Sequence, residues 1–587
     1  MQKRSKMTGW YDPPRVVSIA VRVAISTVFG EFADRREAMA SVREIDPSAL
    51  DPAYDYNKEC ADQSFWLDFV ADTGDGWNST YAIARLLWEP ALEVEGVGSD
   101  AGTPDNRLPA GRLLVMGGDQ VYPTASRGDY RLKLEGPYDE AARRARPPEI
   151  TPHLYAIPGN HDWYDGLSAF LSLFCRRRTA AAFNVARPGR LIGGRWTNQT
   201  RTYFALALPH GWWLWGIDVQ LAGYVDPPQV DFFRHAALHW MPPGSRLTLC
   251  TGTPEWAYVD PADPRRGPFR NFDYMANIAT QAGRSHKLCL VLTGDSHHYA
   301  RYTEAGINYI TAGGGGAFLH PTHQLENKTF LWDFPPPNQH HLVSGPERYQ
   351  RKFQIASDAR SEPALFPSRE ISRRLTLRNL LFWWFNPLFA VTLGILAGIF
   401  AWLLHANAQI ENSTLSEFLS RGRGFWSGVA GYFQLLWVTP WPLTLVLSAA
   451  GGYIYFADFH PWGKRIRAGA FHAFAQLGGM VALTVVLACH AAGAEHDWFL
   501  ILCIGLCGGL LASTVIGMYL LLCLNVFGKH WNEAFSSLRI SGFKNFLRLR
   551  ITPDGVLTVF PIGLTKVPAD DTTDPKPHLI ERPISIP

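Results

Sequence analysis

Four short clusters of Asp, Asn and His punctuate the first half of the chain, and each one closes an apolar run of strand length. Asp72-Thr-Gly-Asp75 follows Phe65–Ala71, and Gly118-Asp119-Gln-Val-Tyr122 follows Arg112–Met116. Gly159-Asn160-His161-Asp162 follows His153–Ile157, and Gly294-Asp295-Ser-His297-His298 follows Lys287–Leu292. One such cluster would read as a turn, because Asp and Asn favour turns. Four in series constrain the fold much more. Buried parallel strands carry their following loops to a common rim, so all four clusters are expected at one edge of an α/β domain. Hard oxygen donors, an amide and an imidazole gathered there suit a pair of metal ions.

The composition then breaks. Up to about residue 378 the chain reads as soluble α/β protein, and beyond it four stretches approach the ~20 apolar residues of a bilayer-spanning helix. They are Leu380–His405, Phe433–Ala457, Phe471–His490 and Phe499–Phe527, with Trp at several ends. Basic residues set their orientation. Arg369, Arg373, Arg374 and Arg378 precede the first, Lys464, Arg465 and Arg467 separate the second from the third, and Lys529, Arg539, Lys544, Arg548 and Arg550 follow the fourth. The Ala491–Trp498 connection has no Lys or Arg, and the first-to-second loop has only Arg421 and Arg423. The positive-inside rule therefore predicts a multi-pass cell (inner) membrane protein with both termini and the globular domain in the cytoplasm.

Other features bound the reading. The formal charge of +3 and the lack of a long basic run give no sign of nucleic acid. Eight cysteines form no CxxC pair, as expected for reduced, mostly buried thiols. Arg22 interrupts the apolar run Val16–Phe32, and no small-residue cleavage site follows, so a signal peptide is not expected. Arg15, Ser18, Arg22 and Ser26 share a helical face opposite Val17, Val21, Ala24, Ile25 and Val28. That is an amphipathic helix, lying on a membrane or covering a sheet.

The expected organisation is an N-terminal amphipathic segment (1–60), a catalytic domain (61–330), a linker (331–378), four transmembrane helices (379–528) and a cytosolic tail (529–587). Within the tail, Phe546–Ile551 and Val556–Ile562 flank Thr552-Pro-Asp-Gly555 and predict a β-hairpin. Asp75 reads most simply as the N-cap of a helix starting near Trp77.

The clusters resemble those of the calcineurin-like metallophosphoesterase superfamily, in a variant similar to the purple acid phosphatases. The likeness covers about residues 65–317 and rests on Gly159-Asn-His-Asp162 and Gly118-Asp-x-x-Tyr122 in family order. It implies a two-sheet sandwich flanked by helices, and two divalent or trivalent ions drawn from Mn, Fe, Mg and Zn. In that reading Asp119 bridges both ions. Asp72, Tyr122 and His297 complete one site, and Asn160 and Asp295 hold the other. Most of the superfamily has Asp-x-His in the first block, where this chain has Gly74; Tyr122 is the replacement ligand, as in the purple phosphatases. A phenolate there would favour ferric iron.

The chain departs from the family pattern at the second site. The family's fourth block reads like Thr-His-x-Pro, and here it is Thr251-Gly252-Thr253-Pro254. Asp295 also stands where the family has a His. Trading imidazole for carboxylate shifts preference towards harder ions such as Mn²⁺ or Mg²⁺. His298, His320 and His323 are weighed as substitutes, with a loop role favoured for each. His161 resembles the residue that reaches a phosphoryl or leaving-group oxygen, oriented by Asp162.

These residues predict a membrane-tethered phosphoesterase, a metal-dependent hydrolase of phosphate mono- or diesters acting through a metal-bridging hydroxide. A lipid-linked phosphate ester is among the substrates that location allows. The alternatives are a degenerate member that binds or senses a phosphorylated ligand, and a regulatory domain attached to a membrane transport module. Oligomeric state leaves no trace in the sequence.

Overall fold

The computed structural model describes residues 4–32, 50–51, 54–57, 59, 63–94, 107–145, 149–177, 189–219, 224–339, 348–358, 361–422, 424–491, 497–569 and 573–587. His340, His341 and Arg423 lie outside them, as do residues 33–49. The chain divides into two compact units. One comprises Met1–Thr8, Ile19–Ser372 and Arg539–Pro587, and the other Gly9–Ser18 and Arg373–Leu538.

The first unit is built on two mixed sheets of nine strands each among the described residues. In one, Phe65–Val70, Leu113–Gly117 and His153–Ile157 run parallel side by side. In the other, Trp212–Gly216, Arg246–Thr251, Lys287–Thr293 and Ile307–Ala312 are parallel neighbours. Alternation along the strands decides what faces what. Leu67, Phe69, Leu113 and Val115 pack with Leu214, Cys250, Leu290 and Leu292 between the sheets. Val70, Leu114, Met116 and Leu154 face outwards, under Trp77–Trp88, Gly136–Arg144 and Ser168–Phe174. Leu247, Leu249 and Val291 lie under Pro227–His235 and Phe269–Ile278. The expected two-sheet sandwich flanked by helices is therefore the fold.

Two segments join it that local patterning separates from it. The C-terminal hairpin forms from Lys544–Ile551 and Leu557–Leu564, and its first strand pairs antiparallel with Phe65–Val70. It is thus part of the first sheet rather than an appended tail. The stretch 331–378, expected as a linker, carries the strand Tyr349–Ile355, which pairs with Lys328–Trp332 and with Tyr299–Glu304. Phe330, Trp332 and Phe353 are buried there against Phe269. Arg351 is fully buried, bonded to Glu304 at 2.6 and 2.7 Å and to Asp273 at 2.6 Å. Its charge reads as part of a solvated linker in sequence but is neutralised inside.

The second unit is helical. Pro387–Ile410, Trp462–His490 and Trp498–Phe527 are each long and apolar enough to cross a membrane. The expected span Phe433–Ala457 is not one straight helix. Phe425–Val438 and Pro440–Phe456 meet at 105°, which makes four candidate spans if the pair counts as one. The cause is local: Pro440 has no N–H and pushes the residue before it out of the α region, and Thr439 is extended at φ −132°, ψ 157°. Gly394 and Gly509 let two of the long helices approach closely. A Cβ on Gly509 would come within 2.5 Å of the Ala390 carbonyl oxygen, and one on Gly394 within 2.8 Å of that of Gly505. The N-terminal helix Pro13–Phe32 forms as expected, with Val16, Val17 and Val21 exposed.

Arg548 on the hairpin donates to Asp68 at 2.7 and 3.3 Å and to the Leu108 carbonyl at 2.8 Å, all buried. Removing one partner strands the other charge, so Arg548→Met is expected to cost about 3–5 kcal/mol. Chemical denaturation of the detergent-purified chain, followed by Trp fluorescence, reads this as a lower midpoint.

Candidate metal centre

The four acidic or amide-bearing loops leave the carboxyl ends of parallel strands. A Cβ on Gly118 would stand 3.3 Å from the Gly159 Cα and 3.6 Å from the Gly252 Cα, and one on Gly294 would stand 2.7 Å from Asp72 Oδ2. Loops from both sheets therefore converge on one rim. Asp72, Asp119 and Asp295 adopt left-handed backbone with φ of 57°, 51° and 64°. Asp tolerates that region better than most residues, yet it is a strained conformation typical of functional turns.

The Tyr122 hydroxyl lies at the centre of this rim. It is 2.7 Å from Asp72 Oδ1, 3.1 Å from Asp119 Oδ2 and 2.9 Å from His297 Nε2. All four side chains are buried. His297 Nδ1 lies 2.8 Å from the Phe318 carbonyl oxygen, which can only accept. Nδ1 therefore carries the ring proton, and the Nε2 lone pair faces the centre. Three acceptors thus surround a phenol that has one proton to give.

Asn160, His161 and Asp295 are only partly buried and sit at the solvent side. Asn160 Nδ2 donates to the Tyr164 hydroxyl at 3.3 Å, and Asp295 Oδ2 accepts from Tyr258 at 3.2 Å. His161 donates its backbone N–H to Asp119 Oδ1 at 2.8 Å, and its Nδ1 lies 2.7 Å from the Pro123 carbonyl oxygen. By the same reasoning its Nε2 carries the ring lone pair. Asp162 faces the Gly159 N–H at 2.9 Å, the Gln120 N–H at 3.2 Å and the Tyr130 hydroxyl. It ties the second and third loops together, and the contact that orients the His161 ring comes from Pro123.

The histidines weighed as substitutes have other places. His320 stacks on His297 at 3.8 Å and accepts the His297 N–H at 3.1 Å. His323 Nδ1 bonds Ser372 at 2.8 Å. His298 is buried, and burial pushes its ring down to about 3. Asp75 is not the helix cap: Gly76 holds that position, and Asp75 accepts the Thr8 N–H at 2.8 Å. A Cβ at Gly74 would lie 2.3 Å from the Gln120 carbonyl oxygen, so no histidine fits there. At Gly252 the nearest atoms are 3.7 and 4.0 Å from a Cβ, so a side chain does fit.

The electrostatics are those of a cluster short of positive charge. Burial, then the charge of Asp295, raises Asp119 to about 8. Burial, then Asp119, raises Asp72 well above the carboxylate range. Asp295 is raised by burial, and Asp162 reaches about 8 through burial and Asp119. Two groups escape sequence reasoning. Lys544, from the hairpin, is buried and donates to the Ala317 carbonyl. Burial pushes it down to about 7, against the pull of Asp75 and Asp72. Glu255 is raised to about 8 by burial and by Asp295. Neither belongs to a cluster in sequence, and only the Asp-Gly turn signal that places the hairpin hints at Lys544.

Among the described residues, no three His, Cys, Asp or Glu side chains converge as a ready cation shell. The donor chemistry nevertheless fits one. Asp72 Oδ2 is buried without a hydrogen-bond partner, the His297 lone pair points inwards, and three acceptors share one proton. Asp72, Asp119, Tyr122 and His297 are brought together. Asn160 and Asp295 flank them, bonded to Tyr164 and Tyr258.

The fold is two mixed sheets flanked by helices, with acidic loops at the carboxyl ends of parallel strands. No family model matches the chain, and no curated protein does. Among solved structures it is similar to GAP50, the anchor in the inner membrane complex of Plasmodium, at 12% identity and a TM-score of 0.29. That likeness covers 44% of this chain and 74% of that one. At this level nothing about activity carries across.

A carboxyl raised from 3.8 to about 8 holds its extra proton only in the folded state. The stability that Asp119 lends is then complete below about pH 4 and lost as pH rises through about 8. The metal-stripped protein is expected to melt lower at pH 8 than at pH 5, with Mn²⁺ restoring the midpoint at pH 8. Asp119→Asn should flatten the slope. Scanning fluorimetry in chelator reads each difference, at ~2–4 °C per kcal/mol for a domain of this size.

Proposed function

We propose that the chain is a membrane-tethered, metal-dependent phosphoesterase whose globular unit faces the cytoplasm. The observation that carries this is the Tyr122 hydroxyl surrounded by Asp72, Asp119 and His297. Asp72, Asp119, Tyr122 and His297 would hold one cation, and Asp119, Asn160 and Asp295 a second. Two cations there would polarise a phosphoryl oxygen and acidify a water.

The chain's own groups supply the rest. Pro123 fixes the His161 ring so that Nε2 accepts a proton at the open side of the site. Burial holds that imidazole near 4, so the ring is neutral at neutral pH. An approaching phosphate anion favours its protonated form, which can pass the proton to a leaving-group oxygen. Asp162 fixes the spacing of the Asp119 and Asn160 loops, and Lys544 offsets part of the negative charge. Three to four candidate spans and the placement of Lys and Arg support a cytoplasmic, bilayer-tethered domain, for which lipid-linked phosphate esters are accessible substrates.

A second reading has its own support. Gly252 supplies no ligand, and no ready cation shell exists among the described residues. A degenerate member would bind a phosphorylated ligand without hydrolysing it.

Hydrolysis of an aryl phosphodiester with Mn²⁺ separates the two. Activity should fall to background in Asp119→Ala and persist in Asp75→Asn. Activity that survives in Asp119→Ala would refute the mechanism, and an inactive, metal-free wild type would establish the binder. Because Gly252 has open space, Gly252→His should add bound metal, measured by plasma emission on the purified chain.

A further inference from the structure

A second polar feature lies behind the Asp162 side of the centre. A cavity of about 200 Å³ is lined by Arg127, Arg131, Arg176 and Arg190, with Tyr130, Ser172 and Glu135. Four arginines line it against one carboxylate residue. Arg190 spends its charge on Glu135 at 2.7 Å. Arg127 and Arg176 form no ion pair among the described residues. The arginines come from three places in the fold. Arg127 and Arg131 belong to the helical turns after the Tyr122 loop, Arg176 follows the helix Ser168–Phe174, and Arg190 immediately precedes the strand Leu191–Ile192. Their convergence on one cavity is a product of packing. Tyr130 forms part of the wall and donates its hydroxyl to Asp162.

Unpaired like charges around a cavity repel one another unless an anion lies between them. Guanidinium forks match phosphate oxygens in pairs, more closely than they match a halide. The volume is below the ~300–1,000 Å³ of pockets that take drug-sized ligands, which favours a small, multiply charged anion. We infer that this cavity is a binding site for a phosphate or diphosphate group, separate from the candidate metal centre. The group is either a free anion or the headgroup of a phosphorylated lipid. The site does not depend on hydrolysis at the centre.

The test is titration calorimetry of the full detergent-purified chain with inorganic pyrophosphate. Excess chelator removes any contribution from cations. Arg127 and Arg176 are exposed, so Arg127→Gln and Arg176→Gln should fold normally; thermal melting confirms it. Each is expected to weaken binding by about tenfold, the loss of one charge-assisted contact, and the double variant further. Asp119→Asn should bind as the wild type does. A second arm uses water-soluble short-chain phosphatidic acid. Displacement of pyrophosphate by that lipid assigns the headgroup as a source, and binding of pyrophosphate alone assigns the free anion. The inference is overturned if neither probe binds. It is equally overturned if the double variant binds as tightly as wild type, or if Asp119→Asn abolishes binding.

Discussion

Crowding of buried carboxylates at the ends of parallel strands is the constraint on which the site depends. Asp72 and Asp119 are desolvated together, with Asp295 close enough to raise both, and the Tyr122 hydroxyl has a single proton to share among its neighbours. In a low-dielectric interior such a cluster is tolerated only with bound protons or bound cations. The left-handed backbone at all three aspartates adds strain that the surrounding sheets must absorb. A scaffold that keeps negative groups this close is prepared for a positively charged guest.

The scaffold reaches that rigidity through long-range pairing. The C-terminal hairpin is the neighbour of Phe65–Val70, the strand that presents Asp72. It brings Arg548 to Asp68 on one side of the sheet and Lys544 towards Asp72 and Asp75 at the rim. The Asn545 N–H bonds the Gly314 carbonyl at 3.0 Å, while the Gly315 and Ala317 N–H groups bond the Ala71 and Asp72 carbonyls at 2.9 Å each. Chain ends separated by the whole apolar region thus meet in the globular unit. The helical unit follows simpler rules: a proline break bends one pair of helices, and facing glycines let two long helices approach closely.

Strand positions were legible because buried parallel strands leave short apolar runs, and a polar cluster must follow wherever the chain turns at the rim. The strand Lys287–Thr293 and the hairpin strands fall within two residues of their expected bounds. The sites of disagreement share a cause. Arg351 lies in the stretch expected as a linker, yet Asp273 and Glu304 neutralise it inside the first unit. Asp75 has the local signature of a cap, yet its partner is Thr8, which no local pattern connects to it. Asp162 sits beside His161 in sequence, but its carboxylate serves two backbone N–H groups and a tyrosine.

By itself the sequence determined the order of strands along the chain, the four polar rim loops and the apolar region. These are local matters, set by side-chain periodicity, turn chemistry and residue type. Only the tertiary structure decided that Lys544 and Glu255 join the acidic rim, that His320 braces His297, and that four arginines surround one cavity. Those partners are far apart along the chain, and their meeting depends on which strands pair and which helices cover them.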